Sequence, residues 1–538
     1  MRKAILAMTA VACLTATGWA QTATVDGVGG VGTGDPLYPN SYATINAALT
    51  AVRTNETAVG TTIQVTAPTI AETAGINLNL NFDVTIESTL PAGSNIQCNG
   101  SAIGITGAAV VIVANITQGR SVTLRRLILT PAVGAAGPVN TRVLQIYNRE
   151  APAAVANYTF NMENSYITAL RVSNNTPVLN PFVHAASADT IAARNAELRS
   201  FDGGGGNNCV DIRFGPGGTE DNSKLTANFT NVVMTHITLG AAASRGGGIA
   251  ISKTRGLTTN INQGCVFSFN SGSGIRSVGT QQAATNFLNV NGTASNPVFF
   301  VKNGWMEDSS STGRNEGIQA DGVTLAVDHA YFYGNFQEHI DKIGGGATTI
   351  SNSYFAEAQT DLDTTNGTAP NVVSAANLKM SGTANVTVTN CTIFDNKATA
   401  NDQAIAWTAP VAGNIMTLNN VICAGPGDQL NIGATAAVTY NEDDCAIVQA
   451  GPHSLESPFI TFGAGVTQSV SDRLTADPQF LQTTFTPTFA GLGVKPTGIT
   501  NYLAVGSPAY LASGSRANVA GANANSPFPV SVSRFSID

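Results

Sequence analysis

Apolar and polar residues alternate strictly in three short runs between Gly317 and Asn396. Val323-Thr324-Leu325-Ala326-Val327-Asp328, Thr348-Thr349-Ile350-Ser351-Asn352-Ser353-Tyr354-Phe355 and Val386-Thr387-Val388-Thr389-Asn390-Cys391-Thr392-Ile393 carry the pattern. Period-2 alternation rich in β-branched side chains predicts half-buried strands. Looser copies surround Thr123, Thr159, Thr226, Thr258 and Thr417. The threonines recur at steps of roughly 25 to 38 residues, and the two steps near 66, after Thr159 and after Thr258, are read as two coils each. A unit this short cannot bury its own apolar face, so the repetition predicts a stack of coils whose variable excess length is outer loop.

The period changes in the segment Ser41 to Val52. Ile45, Ala48, Leu49 and Val52 fall on one face of a helix, with Ser41 or Thr44 as N-cap. An open stack exposes strand edges and apolar core at its ends, so a helix here is expected to cap the first coil. Strands follow at Thr61–Val65, Asp83–Ile86 and Ala109–Val113. Before the helix, residues 21–40 are Gly-rich and read as a flexible leader. Alternation fails from Asn174 to Ala196, and the glycines at 203–206 and 215–218 mark reversals. The repeat fades after Gly451, so the chain divides into a signal (1–20), leader (21–40), repeat body (41–450) and C-terminal coils, cap and tail (451–538).

On these runs, over roughly residues 41 to 450, the chain resembles the right-handed parallel β-helix, or pectin-lyase-like, superfamily. The resemblance implies an all-β solenoid of three parallel sheets around one axis, with about a dozen coils in a rod roughly 60 Å long. Asp477-Pro478-Gln479-Phe480 and Leu503-Ala504-Val505-Gly506-Ser507-Pro508-Ala509 are similar to the ending of secreted bacterial β-helix proteins with a variable cell-surface anchor.

Composition narrows the setting. Met1-Arg2-Lys3, the apolar run Ala4 to Leu14 and Gly18-Trp19-Ala20 form a secretory signal cleaved near Ala20, too short for a membrane span. The mature chain then has no transmembrane segment. Removing Arg2 and Lys3 leaves 24 of the 26 basic residues against 34 acidic ones, a net charge of about −10 that disfavours nucleic acid. Charged residues are 11% of the chain, under half the usual ~25%, so Thr, Asn, Ser and Gly must supply solubility. Of the six mature cysteines, Cys423 and Cys445 are about one coil apart and are either a bridge or two buried thiols.

The densest ionisable cluster is Asp328-His329 with Glu338-His339-Ile340-Asp341-Lys342. Val327-Asp328-His329 and Gln337-Glu338-His339-Ile340-Asp341 resemble a pectate lyase segment, which implies Ca²⁺ held by acidic residues such as Asp341. The R-x-P-x-x-R run carrying that family's base is missing from Val386–Ala406, and polygalacturonase and pectin esterase motifs are absent too. From the residues alone no metal site is assigned: Asp361 to Gly367 has its glycine one position late for a Ca²⁺ loop. His339, Lys342, Glu338 and Asp341 are the candidate catalytic groups, gathered by a turn at Gly334-Asn335. Trp305, Tyr331, Tyr333, His329 and Asp328 are the candidate glycan contacts.

The sequence therefore predicts a secreted or cell-surface β-helix protein without catalytic activity, with a structural, adhesive or glycan-binding role and an extracellular polysaccharide or cell-surface component as partner. The alternative is a polysaccharide lyase or glycoside hydrolase acting on an acidic glycan in a groove near residues 302–345.

Overall fold

The computed structural model describes most of residues 21–471 and a stretch at 488–494. Residues 1–20, 99–110, 131–142, 149–156, 183–209, 215–223, 237–246, 279–285, 305–315, 359–375, 395–402, 450–459, 472–487 and 495–538, with shorter gaps, lie outside the described set. The signal, Trp305, the Asp361–Gly367 loop, the Gly-rich reversals and the C-terminal motifs fall there.

The strands predicted by alternation form, and they pair in parallel one coil above the next. Three ladders result. The first runs from Gln21–Val25 through Thr61–Val65, Val84–Ser88 and Ser121–Arg125 to Val466–Ser471. The second begins at Thr69–Glu72 and ends at Ala446–Gln449. The third, of 12 strands, begins at Ile76–Asn77 and ends at Ile460–Phe462. One coil passes through all three in turn, as in Thr324–Asp328, Ala330–Tyr333 and Ile340–Ile343. Parallel strands joined by such crossovers wind right-handed, and the chain is a right-handed parallel β-helix. At about 4.8 Å per coil the third ladder is roughly 55 Å long.

Helix α1 (Ile45–Asn55) buries Ile45, Ala48, Leu49 and Val52 against the first strands, the face read from the sequence. Its first amides are held by the buried Glu72 carboxylate, which accepts from the Ile45 and Asn46 amides at 2.5 and 3.4 Å. Burial raises the Glu72 pKa, against those bonds. The leader is not loose. Gln21–Val25 is the first rung of the first ladder. Asp26 accepts from the Val28 and Gly29 amides, Asp35 from those of Leu37 and Tyr38, and Tyr38 is fully buried. Two Asx turns fold this Gly-rich segment onto the capped end.

The corner between the first and second ladders takes one residue in the left-handed region. Asn164, Asn231, Asn352, Asn390 and Asn420 occupy it at φ 48 to 62°, since Asn tolerates that conformation. Successive corners superpose, so their side chains bond along the axis: Asn231 Nδ2 donates to Asn164 Oδ1 at 3.1 Å, Asn390 to Asn352 at 3.1 Å and Asn420 to Asn390 at 2.6 Å. Inside, Phe267, Phe300, Phe332 and Phe355 stack with centroids 4.9, 4.6 and 4.8 Å apart. Gly248, Gly274 and Gly317 lie against this stack, where a Cβ would fall 2.6, 2.9 and 2.9 Å from the rings of Phe267, Phe300 and Phe332.

One expectation is corrected and one open alternative is decided. Thr159 and Thr226 are direct register partners, so the step between them is one coil carrying a long excursion, whereas Thr258 and Thr324 are two coils apart through Phe287. Cys423 and Cys445 are free, buried thiols, not a bridge; burial raises both pKa values, Cys445 to about 12.

Replacing Leu49 by Asp places a carboxylate in the apolar seat of α1. Aggregation, or a drop in stability of about 3 kcal/mol or more in denaturant titration, is expected. At the corner, Asn390→Ala loses two ladder bonds and strains the left-handed backbone, and should cost about 1–3 kcal/mol. Asn390→Gly should recover about 1 kcal/mol of that, because glycine takes the conformation freely. Equal stability of the two variants would show that backbone strain is not part of the asparagine's role.

Candidate functional site

The outer face of each ladder has its own character, set by what the register stacks there. On the first ladder the middle outward row reads Thr62, Thr85, Thr123, Asn161, Asn228, Asn260, Asn289, Ala326, Thr349, Thr387, Thr417 and Asn441, one residue per coil. Side-chain amides link it lengthwise: Asn228 donates to Asn161 at 2.9 Å, Asn260 to Asn228 at 2.8 Å and Asn289 to Asn260 at 2.9 Å. Apart from the more buried Thr123, these residues are half-exposed or exposed. In the next outward row Arg125 lies between Glu87 and Glu163, at 3.2 and 2.9 Å, so that charges of opposite sign alternate along the axis.

The outer face of the second ladder is apolar and covered. Ile128, Tyr166, Val233, Val266, Phe299, Tyr331, Tyr333 and Tyr354 form a second buried cluster, with Leu179, Phe182, Phe489 and Leu492 packed over it. Phe182 meets Phe299 and Phe489 edge-on, at 6.4 and 5.9 Å. Tyr331 and Tyr333 are 1% and 8% exposed. They are therefore packing residues under this cover, not open stacking surfaces for a sugar.

Of the other expected contacts, Trp305 lies outside the described residues. Asp328 and His329 sit at the corner between the first two ladders, His329 in the left-handed region at φ 49°. Asp328 Oδ1 accepts from Ser351 Oγ at 2.7 Å and Asn352 Nδ2 at 2.8 Å, and Oδ2 pairs with His329 Nδ1 at 2.9 Å. Burial acts to raise the Asp328 pKa, but the bonds from Asn352, Ser351 and His329 outweigh it and hold the carboxyl below its usual range. The pair continues the asparagine ladder, with both side chains partly exposed.

The expected cluster at 338–342 divides. His339 is fully buried between the second and third ladders: Asn335 Nδ2 donates to its Nδ1 at 2.9 Å, and its Nε2 donates to the Ala356 carbonyl at 3.0 Å. That pattern fixes a neutral imidazole beside Phe332 and Phe355, closed to substrate. Lys342 points inward, in the row of Ala320 and Met380, and its ammonium reaches the Gly344 carbonyl at the edge. Burial lowers its pKa to about 8, with Asp321 opposing. Gly334 supplies the expected turn at φ 59°, but the turn brings together Glu338 and Asp341 alone.

Those two meet Glu316, which the sequence reading missed. One oxygen from each of Glu316, Glu338 and Asp341 lies within 4.8 Å of the others. Glu338 and Asp341 are three apart, a spacing that would oppose them on a regular strand; they converge because the strand starts only at Ile340, after bends at 337 and 339. Glu316 is fully buried, and the other two are 4% exposed. Ser273 Oγ donates to Glu316 Oε2 at 2.6 Å. Lys379 Nζ is 3.0 Å from Glu338 Oε1 and 3.8 Å from Asp341 Oδ2. Burial and the neighbouring Glu338 charge raise the Glu316 pKa, and the same causes raise Asp341 to about 6 despite Lys379. Such a group of carboxyls can share a proton or gather around a cation. A signal for Glu316 does exist: Glu316-Gly317-Ile318 and Glu338-His339-Ile340 are the same E-x-I step, one coil apart.

No protein-family model matches the chain, and no curated protein does. Among solved structures it is similar to the A-module of the mannuronan C-5 epimerase AlgE4 of Azotobacter vinelandii, with 13% identity and TM-score 0.36 over 79% of this chain and 94% of that one. It is also similar to the GH136 lacto-N-biosidase of Eubacterium ramulus, with 10% identity and TM-score 0.38 over 85% and 67%. Pectate lyase Pel9A gives 10% identity and TM-score 0.29 over 91% and 90%. At such identities the likeness is one of winding, and the chemistry named in those titles belongs to those proteins.

Proposed function

We propose that this chain is an extracellular β-helix scaffold that binds a glycan surface along the outer face of its first ladder and does not turn it over. The observation that carries this reading is the uncharged Thr/Asn row. Hydroxyls and amides recur there at about 4.8 Å on every coil of the row but that of Ala326, and amide bonds between neighbouring rungs hold Asn161, Asn228, Asn260 and Asn289 in direction. A polymer of hydroxylated rings offers a matching periodic set of donors and acceptors, and half-exposed side chains already held in one orientation lose little entropy on meeting it. No helix among the described residues is long and apolar enough to cross a membrane.

The alternative is a lyase or hydrolase working near residues 302–345, where the candidate carboxyls Glu338 and Asp341 are 4% exposed; with His339 or Lys342 as base, that residue would have to touch substrate. Both are fully buried, one bonded through each ring nitrogen and the other directed into the core.

Sedimentation with insoluble polysaccharides, together with product absorbance on soluble uronate polymers, tests both readings. The wild-type chain should co-sediment with at least one polysaccharide and release no unsaturated product. Thr349→Arg combined with Thr387→Glu puts two long side chains of opposite charge on adjacent coils of the row, as Arg125 and Glu163 already stand; binding should fall roughly tenfold or more while Tm holds, because half-exposed and exposed positions contribute little to stability. Turnover by the wild type would overturn the non-catalytic reading, and unchanged binding by the double variant would remove the first ladder as the binding face.

A further inference from the structure

The third ladder contains an arrangement that glycan binding does not use. On the first ladder Glu87, Arg125 and Glu163 alternate in sign, yet Glu316 and Glu338 stack one coil above the other with Asp341 beside them. Among these groups Lys379 is the neutralising cation, so the three carboxyls, when all are ionised, leave two negative charges in a buried place. Two of the carboxylate oxygens, Glu316 Oε1 and Asp341 Oδ1, are buried and accept no hydrogen bond. An unpaired buried carboxylate oxygen is costly, and two of them on carboxyls that approach within 4.8 Å point to a missing partner.

We propose that Glu316, Glu338 and Asp341 hold one divalent cation of the Ca²⁺ class, which clamps successive coils of the third ladder. The donor set is all oxygen, with no thiolate or imidazole, and therefore selects a hard ion. Oxygens on opposite sides of one Ca²⁺ stand about 4.6–5.2 Å apart, and the three carboxylate oxygens lie no more than 4.8 Å from one another, close enough to share one ion. Mg²⁺ keeps several of its waters and demands a tighter octahedron, which three ligands at most 4% exposed do not favour. The ion balances the residual charge and gives the two orphaned oxygens a partner. Ser273 orients Glu316 from the coil before, and Lys379 closes the group from the coil after. The role is a brace for the stack: two of the ligands lie on one coil and the third on the coil below.

The test uses the full chain, stripped with EDTA and titrated with CaCl₂ or MgCl₂ while calorimetric heat and Tm are read. CaCl₂ should give saturable heat and a concentration-dependent rise in Tm, with MgCl₂ clearly weaker. Glu316→Gln keeps the shape and the Ser273 partner but removes a charged ligand, and should weaken Ca²⁺ binding roughly tenfold or more. Lys379→Gln discriminates further, because it removes a positive charge 3.0 Å from one ligand and 3.8 Å from another. Its Tm should fall below wild type in EDTA and recover in CaCl₂, with binding tighter than wild type. If Glu316→Gln does not fold, the wild-type and Lys379→Gln titrations decide alone. A wild-type Tm unmoved by CaCl₂ up to about 10 mM, above the weakest extracellular Ca²⁺ sites, overturns the proposal and leaves a proton-sharing carboxyl group. An equal response to MgCl₂ overturns the assignment of ion class.

Discussion

Every coil of this protein satisfies its backbone through the coil above and the coil below, and that single constraint decides what each position can be. Parallel pairing in register places each side chain about 4.8 Å from its equivalent, so a residue must tolerate a copy of itself. Asn does, by passing one amide bond to the next, as from Asn161 to Asn289. Phe does, by stacking. Thr does as well. A Lys or Glu does not, since like charges at that distance repel. The shortage of charged residues, 11% of the chain, is in this light a consequence of the winding. On the first ladder, where charges stack, Glu87, Arg125 and Glu163 alternate in sign.

The same constraint explains what could be read from the sequence. The first ladder is polar outside and apolar inside, so Thr324–Asp328 and Val386–Phe394 announce themselves by alternation, and α1 by the shift to helical spacing. On the second ladder both faces are buried, as in Ala330–Tyr333 and Val298–Val301. Alternation therefore vanishes there, and nothing in the pattern shows that Tyr331 and Tyr333 face a packed cover instead of solvent. Coil length fails for another reason. A loop of any size leaves the register intact, so the distance from Thr159 to Thr226 cannot reveal how many coils it contains.

The carboxyl group was half legible. Glu338 and Asp341 stand out in a charge-poor chain, and so did His339 and Lys342, which the fold sends elsewhere. Along a strand, direction depends on where the strand begins, and a start at Ile340 turns His339 and Lys342 inward while Asp341 points out. Glu316 belongs with them through register alone, and register is a property of the neighbouring coil that local pattern does not contain.

Phe489 lies over a face built from coils far earlier in the chain, where it meets Phe182. Solenoids are otherwise nearest-neighbour objects, in which each coil answers only to the next and an end can fray without the middle being aware of it. A contact between two segments so distant in sequence closes a very long loop, and it forms only after the coils beneath it exist. Winding can then proceed locally and in chain order, with this contact as the last event. Once made, it ties the late part of the chain to the early part, so that a stack capable of opening one rung at a time gains a reason to open all together.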